Sequence, residues 1–271
     1  MQMHRSTLGD FLRARRDECQ PEDVGVEREY GRRVPGLRRD EVAALSGISS
    51  EYYVRLEQGR VATPSRQVID AIARALRLNA VSTDHMYRLC GIGSPRAGDL
   101  SPRTSEAIET ILMRWRDTPA YLMDRNLDIV AANTLMVAIS GGSITAGVNT
   151  LELTFTPEVI ASCLDWEPLA RETVGAFRYL GDPTSARYRE VLTRMSRNES
   201  FTRIWAANEV RLPLGREVRS HAEGIGELRI DYRNFTPADL PGYTITVYSA
   251  EPGSFTDSVI RRLAEGAGLA A

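Results

Sequence analysis

Apolar positions recur at helical spacing through the first third of the chain and alternate with polar ones near its end. Leu8, Phe11 and Leu12 share one side of Leu8–Cys19, with Arg13, Arg15 and Arg16 elsewhere, which predicts an amphipathic helix. Val68, Ile69, Ile72, Ala73 and Leu76 predict another over Ser65–Leu76, capped by Ser65. Met86, Tyr87 and Leu89 predict a short one over Thr83–Cys90. Between them lies Arg38–Arg60, RRDEVAALSGISSEYYVRLEQGR, which reads as two short helices and a tight turn. The first runs roughly Arg38–Leu45, with Asp40 and Glu41 in its positive first turn. Ser46-Gly47 breaks it, Ser49 caps a second helix over Ser50–Gln58, and Gly59 stops that one. Val42, Ala43, Ile48, Tyr53 and Leu56 can share a buried seam, leaving Ser50, Glu51, Tyr52 and Arg55 outside. Such a helix suits the reading of base edges in a major groove. A plain helical hairpin, with Glu51 and Arg55 as a solvated pair, fits the same spacing.

Gly91–Pro102, GIGSPRAGDLSP, is rich in Gly and Pro and predicts a linker between a domain over 1–90 and one over 103–271. Beyond it Thr104–Trp115 reads as helix, and Pro119–Asn133 as strand, turn, strand, with Asp124-Arg125-Asn126 turning. Helices are expected over Pro157–Leu164, Glu167–Tyr179, Ser185–Ser196 and Phe201–Ala207. Arg229–Arg233 alternates apolar and charged, and Tyr243–Ala250 is β-branched and aromatic, so both read as strands. Glu209–Leu214 and Glu217–His221 suggest a further hairpin around Gly215, and Phe255–Leu269 a last helix or tail. The fold class is therefore multidomain: an all-α five-helix domain, then an α+β domain with about five mostly antiparallel strands.

Two resemblances sharpen this. Residues 37–60, above all ALSGIS and RLEQGR, resemble the helix-turn-helix of XRE-type bacterial repressors, a likeness extending over 1–90. Those repressors usually open the first of the two helices with Thr or Ser, where this chain has Arg38. The segments TPAYLMDRNLDIVAAN, NTLELTF, DWEPLARETVGAFRYL, ESFTRIWAANEVRL and YTITVYSAEPGS resemble the ligand-binding domain of MmyB-like transcription regulators. The resemblance implies a PAS-like curved sheet around a pocket, double-stranded DNA as partner, and a small-molecule effector, plausibly lipid-like or a secondary metabolite. Where the family usually has His followed by Pro, this chain has His221-Ala222-Glu223-Gly224.

Charge supports the division. Residues 1–90 hold 15 Arg against 13 acidic residues, and 91–271 hold 19 against 23, so a weakly basic part precedes an acidic one. All 34 basic residues are arginine, which fits a GC-rich coding bias. Without lysine neither a P-loop nor a pyridoxal phosphate Schiff base can form. GxSxG, HExxH and GxGxxG are absent, as is any Cys/His cluster, so no catalytic residue, metal or cofactor is expected. Cys19, Cys90 and Cys163 read as free thiols in a reducing cytoplasm. Met1–Gly9 is followed by no apolar run, and no stretch approaches the ~20 apolar residues of a membrane span.

Ser50, Glu51 and Arg55 are the expected base contacts, with Ser49 and Tyr52 beside them. Arg38, Arg39, Arg60 and Arg66 are expected at phosphates; Arg32 and Arg33 suit either phosphate or a solvated loop. A homodimer would set two such helices about 34 Å apart in successive grooves. For the ligand, Trp166, Phe177, Phe201 and Trp205 are candidate walls, and Asn133, Arg178 and His221 candidate polar contacts. Any single one of these aromatics more often belongs to an ordinary core, and Arg178 equally fits a pairing with a nearby carboxylate. The competing function is a DNA-binding protein whose second domain only dimerises or docks a partner.

Overall fold

The computed structural model describes residues 7–27, 34–61, 63–92, 108, 110–183, 185–237, 240 and 242–268. These fall into two compact units, one up to Pro95 together with Trp205–Arg211, the other comprising Arg96–Ile204 and Leu212–Ala271. From residue 93 the expected linker lies outside the described residues, as do Arg32, Arg33 and the start of the helix expected from Thr104.

Among the described residues the first unit has five α-helices: α1 (Leu8–Glu18), α2 (Arg39–Ser46), α3 (Ser50–Glu57), α4 (Arg66–Ala75) and α5 (Ala80–Leu89). All but α2 have their starts set by an N-cap side chain. Thr7, Ser49, Ser65 and Asn79 each accept a hydrogen bond from a backbone N–H in the first turn, a contribution of about 1 kcal/mol each. Asn79 starts α5 three residues earlier than expected, its side-chain oxygen accepting from the Ser82 N–H at 2.8 Å. Gly47 adopts the left-handed conformation (φ 66°) that turns α2 into α3. Phe11, Leu12, Leu37, Val42, Tyr53, Leu56, Ile69, Ile72 and Met86 are buried around this turn. Gly9 and Gly36 are small for contact reasons: a Cβ on Gly9 would overlap the Glu57 backbone, and one on Gly36 the backbone of Arg16 and Asp17. Residues Pro21–Val24 of the connector form one 3-10 turn.

The second unit is an α+β domain. Its sheet has five antiparallel strands, β1 (Ala120–Met123), β2 (Ile129–Ala132), β3 (Glu217–Ala222), β4 (Gly226–Phe235) and β5 (Thr244–Ser249), in the order β2-β1-β5-β4-β3. Residues 110–114 are helical (α6). Between β2 and β3 lie α7 (Thr134–Ile139), α8 (Thr150–Thr154), α9 (Pro157–Ser162), α10 (Trp166–Leu180), α11 (Ala186–Met195) and α12 (Glu199–Ala206); α13 (Phe255–Gly266) follows β5. Asp124 turns β1 into β2 by accepting from the Asn126 and Asp128 N–H groups. The Asp128 carboxylate in turn takes both arms of Arg187 at 2.6 and 2.7 Å, tying α11 to that turn.

One expectation is corrected. Glu209–Leu214 is not a strand, and no hairpin forms around Gly215. The partner of β3 is β4, through a turn at Glu223-Gly224-Ile225. At Gly215 the backbone has φ 99° and lies against the Tyr232 and Arg233 backbone, so a side chain there would have no room. The short helices α7 and α8 were not visible as apolar periodicity; their caps, Asn133 and Asn149, define them.

Strand alternation sorts the sheet into two faces. Ala120 and Leu122 join Ile108, Leu112, Ala131 and Leu240 in an apolar cluster, with Ile245 and Val247 packed against it. Tyr121 and Met123 point the other way, as do Tyr248, Tyr232 and Asn234, and these line a cavity.

Candidate functional site

The outer row of α3 is built from what its inner row needs. Tyr53 and Leu56 are in the core, and the Glu57 side chain is only 1% exposed. Ser50, Glu51 and Arg55 are exposed on the other side and Tyr52 is half-buried. Ser49, exposed at the N-cap, accepts from the Tyr52 N–H at 3.1 Å.

Glu57 anchors this geometry. One carboxylate oxygen accepts from Arg16 Nε and the other from Arg39 Nε, both at 2.7 Å, while Arg16 Nη1 donates to the Leu37 carbonyl at 2.8 Å. One charge cluster thereby joins α1, the start of α2 and the end of α3. Burial opposes the charge on both partners, but their mutual hydrogen bonds prevail: Glu57 is held below the ordinary glutamate range and Arg16 above the arginine range. Burial, followed by the Glu57 charge, raises the Tyr53 phenol beyond its normal range.

The four arginines expected at phosphates differ in their surroundings. Arg39 gives its Nε to Glu57 while its side chain stays 48% exposed. Arg38 is half-buried at the N-cap of α2, and its backbone N–H donates to the Glu41 carboxylate at 2.6 Å. Glu41 thus supplies half of a capping box and offsets the absence of Ser or Thr at position 38. Arg60 is exposed just past Gly59, and Arg66 is exposed at the start of α4 with its guanidinium 5.6 Å from the Tyr87 ring centre.

In the second unit, the cavity between the sheet and helices α8 and α10 has a volume of about 190 Å³. Leu169, Glu172, Thr173 and Ala176 line it at i, i+3, i+4 and i+7 of α10. Apolar wall comes also from Met123, Leu127, Ile144, Leu153 and Val159. Polar groups converge from Tyr121, Tyr232, Tyr248 and Asn234 on the sheet and from Thr150 and Thr154 on α8. The Tyr232 hydroxyl donates to Glu172 Oε1 at 3.0 Å. Burial, reinforced by the Glu172 charge, pushes the Tyr232 phenol far above its ordinary value, which keeps it a donor.

None of the seven residues expected at the ligand lines this cavity. Asn133 is buried as the cap of α7: its side-chain oxygen accepts from the Ala120 and Met136 N–H groups, and its amide donates to the Trp115 and Thr118 carbonyls. Trp166 donates to the Thr154 carbonyl at 2.7 Å and meets Phe155 edge-on. Phe177 stacks on Tyr188 at 4.4 Å, and Phe201 packs edge-on against Phe155 at 5.8 Å. Arg178 is 3% exposed on the side of α10 facing away from the cavity, and Trp205 is buried in the last turn of α12. His221 is exposed on β3 opposite Glu227. A signal for the lining was present: the polar pair Glu172-Thr173 sits between Leu169 and Ala176 at helical spacing, and Tyr232 and Asn234 alternate in β4.

Among the described residues, no helix is long and apolar enough to cross a membrane, and no three His, Cys, Asp or Glu side chains gather as metal ligands. The cysteines are free thiols, and burial raises Cys90 to about 11. No curated protein matches the chain. A helix-turn-helix domain model matches residues 7–86, the span of α1 to α5 up to Met86. The model of the MmyB-like transcription regulator ligand binding domain matches residues 104–263, more than half of the chain and the whole of the sheet and cavity. The chain therefore belongs to the MmyB-like transcription regulators, with a helix-turn-helix domain for DNA and a ligand-binding domain behind it.

Proposed function

We propose that this regulator is a sequence-specific, repressor-like homodimer whose hold on DNA is controlled by a small molecule in the second domain. The observation that carries the reading is the two-sided α3, with a core-locked inner row and an exposed outer row of Ser50, Glu51 and Arg55. On this reading Arg55 donates to guanine and Glu51 accepts from a cytosine amino group. Ser49, Ser50 and Tyr52 complete the contact, and the positive end of α3 faces the DNA. Arg38, Arg60 and Arg66 meet phosphates; Arg39 does so with the part of its side chain not held by Glu57. We read the second domain as PAS-like, supported by its five antiparallel strands and one-sided cavity. Ligand there shifts a pre-existing equilibrium in the spacing of the two α3 helices of the dimer. The protein acts in the cytoplasm, where a bacterial promoter is found.

A gel shift on the promoter region of its own gene tests the reading. Arg55→Ala should weaken the complex at least tenfold without loss of folded protein. Unchanged binding would remove α3 from the interface. Native mass spectrometry of freshly purified protein reports the dimer and any retained small molecule.

A further inference from the structure

The cavity carries one formal charge, and that charge is negative. Among its described lining residues there is no arginine or histidine, and the chain has no lysine. Glu172 projects into it from α10, with the Tyr232 hydroxyl as hydrogen-bond partner at 3.0 Å. A carboxylate drawn partly out of water with one neutral donor gains most from a cationic donor beside it. The sheet face opposite adds three aromatic rings in a row. Tyr121 meets Tyr248 edge-on at 6.2 Å, and Tyr232 lies 5.9 Å from Tyr248. Electron-rich ring faces attract cations, most strongly where water is thin. Met123, Leu153 and Leu169 supply apolar wall, and the remaining polar lining, Ser143, Thr150, Thr154, Thr173 and Asn234, is uncharged. An anionic head would meet the Glu172 carboxylate with no fixed positive charge in the wall to offset the repulsion.

We propose that the cavity selects a lipophilic organic cation, an ammonium group on an apolar body, with Glu172 as its counter-ion and the Tyr121, Tyr232 and Tyr248 cluster around its head. This deepens the ligand-controlled reading above and rests on it. The ammonium donates to the Glu172 oxygen that Tyr232 leaves open, and the apolar body occupies the Met123–Leu153–Leu169 wall. The sheet-face tyrosines act as a positioning set: their clustered rings surround the head, and the Tyr232 hydroxyl holds the Glu172 carboxylate in place.

The test uses three probes with one apolar chain and different heads: octylammonium, 1-octanol and octanoate, titrated calorimetrically into the full-length protein at pH 7. Octylammonium should bind at least tenfold tighter than octanoate, with octanol between them. Glu172→Gln, which keeps an acceptor for Tyr232, should bring the octylammonium-to-octanoate ratio close to one. Thr173→Phe, which fills the cavity from the next position on α10, should abolish binding of all three. Octanoate binding as tightly as octylammonium, and lost in Thr173→Phe, would overturn the cationic class while leaving the cavity as the ligand site. Octylammonium binding unchanged in Glu172→Gln would overturn the role of Glu172. If none of the three binds, the cationic class fails; if cell extract also leaves the parent protein's DNA complex unaltered, the ligand-controlled reading fails with it.

Discussion

Glu57 and Glu172 show how differently the two units use a carboxylate. Glu57 is buried and saturated, with a guanidinium on each oxygen. Glu172 is half-buried, has a single phenol as hydrogen-bond partner and faces a cavity. The first arrangement makes a rigid frame: three helices converge on one anion, so α3 is presented in a single orientation. The second leaves bonding capacity unspent at a hollow. Part of the stability such capacity could provide is thereby reserved for whatever enters. The two carboxylates thus differ in how completely their hydrogen-bonding capacity is satisfied within the protein.

The comparison breaks first at Glu57. Glu57→Ala leaves the Arg16 charge buried beside Leu37 without its main partner and should cost about 3–5 kcal/mol, read as a large drop in the thermal midpoint. Glu172→Gln should change stability by no more than about 0.5 kcal/mol in the same melt. Comparable losses in the two variants would erase the distinction drawn here. Gly9→Ala probes the same frame by sterics. Its methyl group would drive α1 off the end of α3, at a cost of about 1–3 kcal/mol. A melting temperature equal to that of the parent protein would show that the approach of α1 to α3 is slack.

Arg55→Ala separates surface from frame. It should reduce DNA affinity by about 1.4–3 kcal/mol while leaving stability within about 0.5 kcal/mol, because Arg55 is exposed. The smallest effect is in pH. Glu57 has a folded-state pKa below the ordinary value, so the unfolded chain takes up its proton first as pH falls. Its stabilisation is complete above the ordinary glutamate range and is lost progressively as pH falls through that range and below it. The melting temperature should fall in that window more steeply for the parent than for Glu57→Gln; parallel curves would assign acid lability to other groups.

The helices of the first unit were legible because local chemistry alone defines them. Ser49 and Ser65 cap where spacing said they should, and Gly47 turns where α2 must end. Glu57 was not legible as an anchor, because its partners are 41 and 18 residues away in the chain. The sheet content is legible from alternation, but the partner of β3 is not: Gly215 looks like a turn residue, whereas a glycine is required there by close backbone approach. The site reading favoured large aromatics at the expense of a polar stripe. Trp166 and Phe201 both pack on Phe155 and Phe177 stacks on Tyr188, while the cavity is lined by three sheet tyrosines with aliphatic and small polar side chains.

By itself the sequence determined the two-part organisation, the helix-turn-helix with its exposed Ser50, Glu51 and Arg55, the antiparallel strands and the family. These depend on periodicity, caps and local turn residues, which act over a few positions. Only the tertiary structure decided that Glu57 is the anchor of α3 and that Glu172 and the three tyrosines share one hollow. Those facts depend on which of several exposed-looking polar residues meet across the fold. A carboxylate reads the same in the chain whether two arginines or an empty cavity await it.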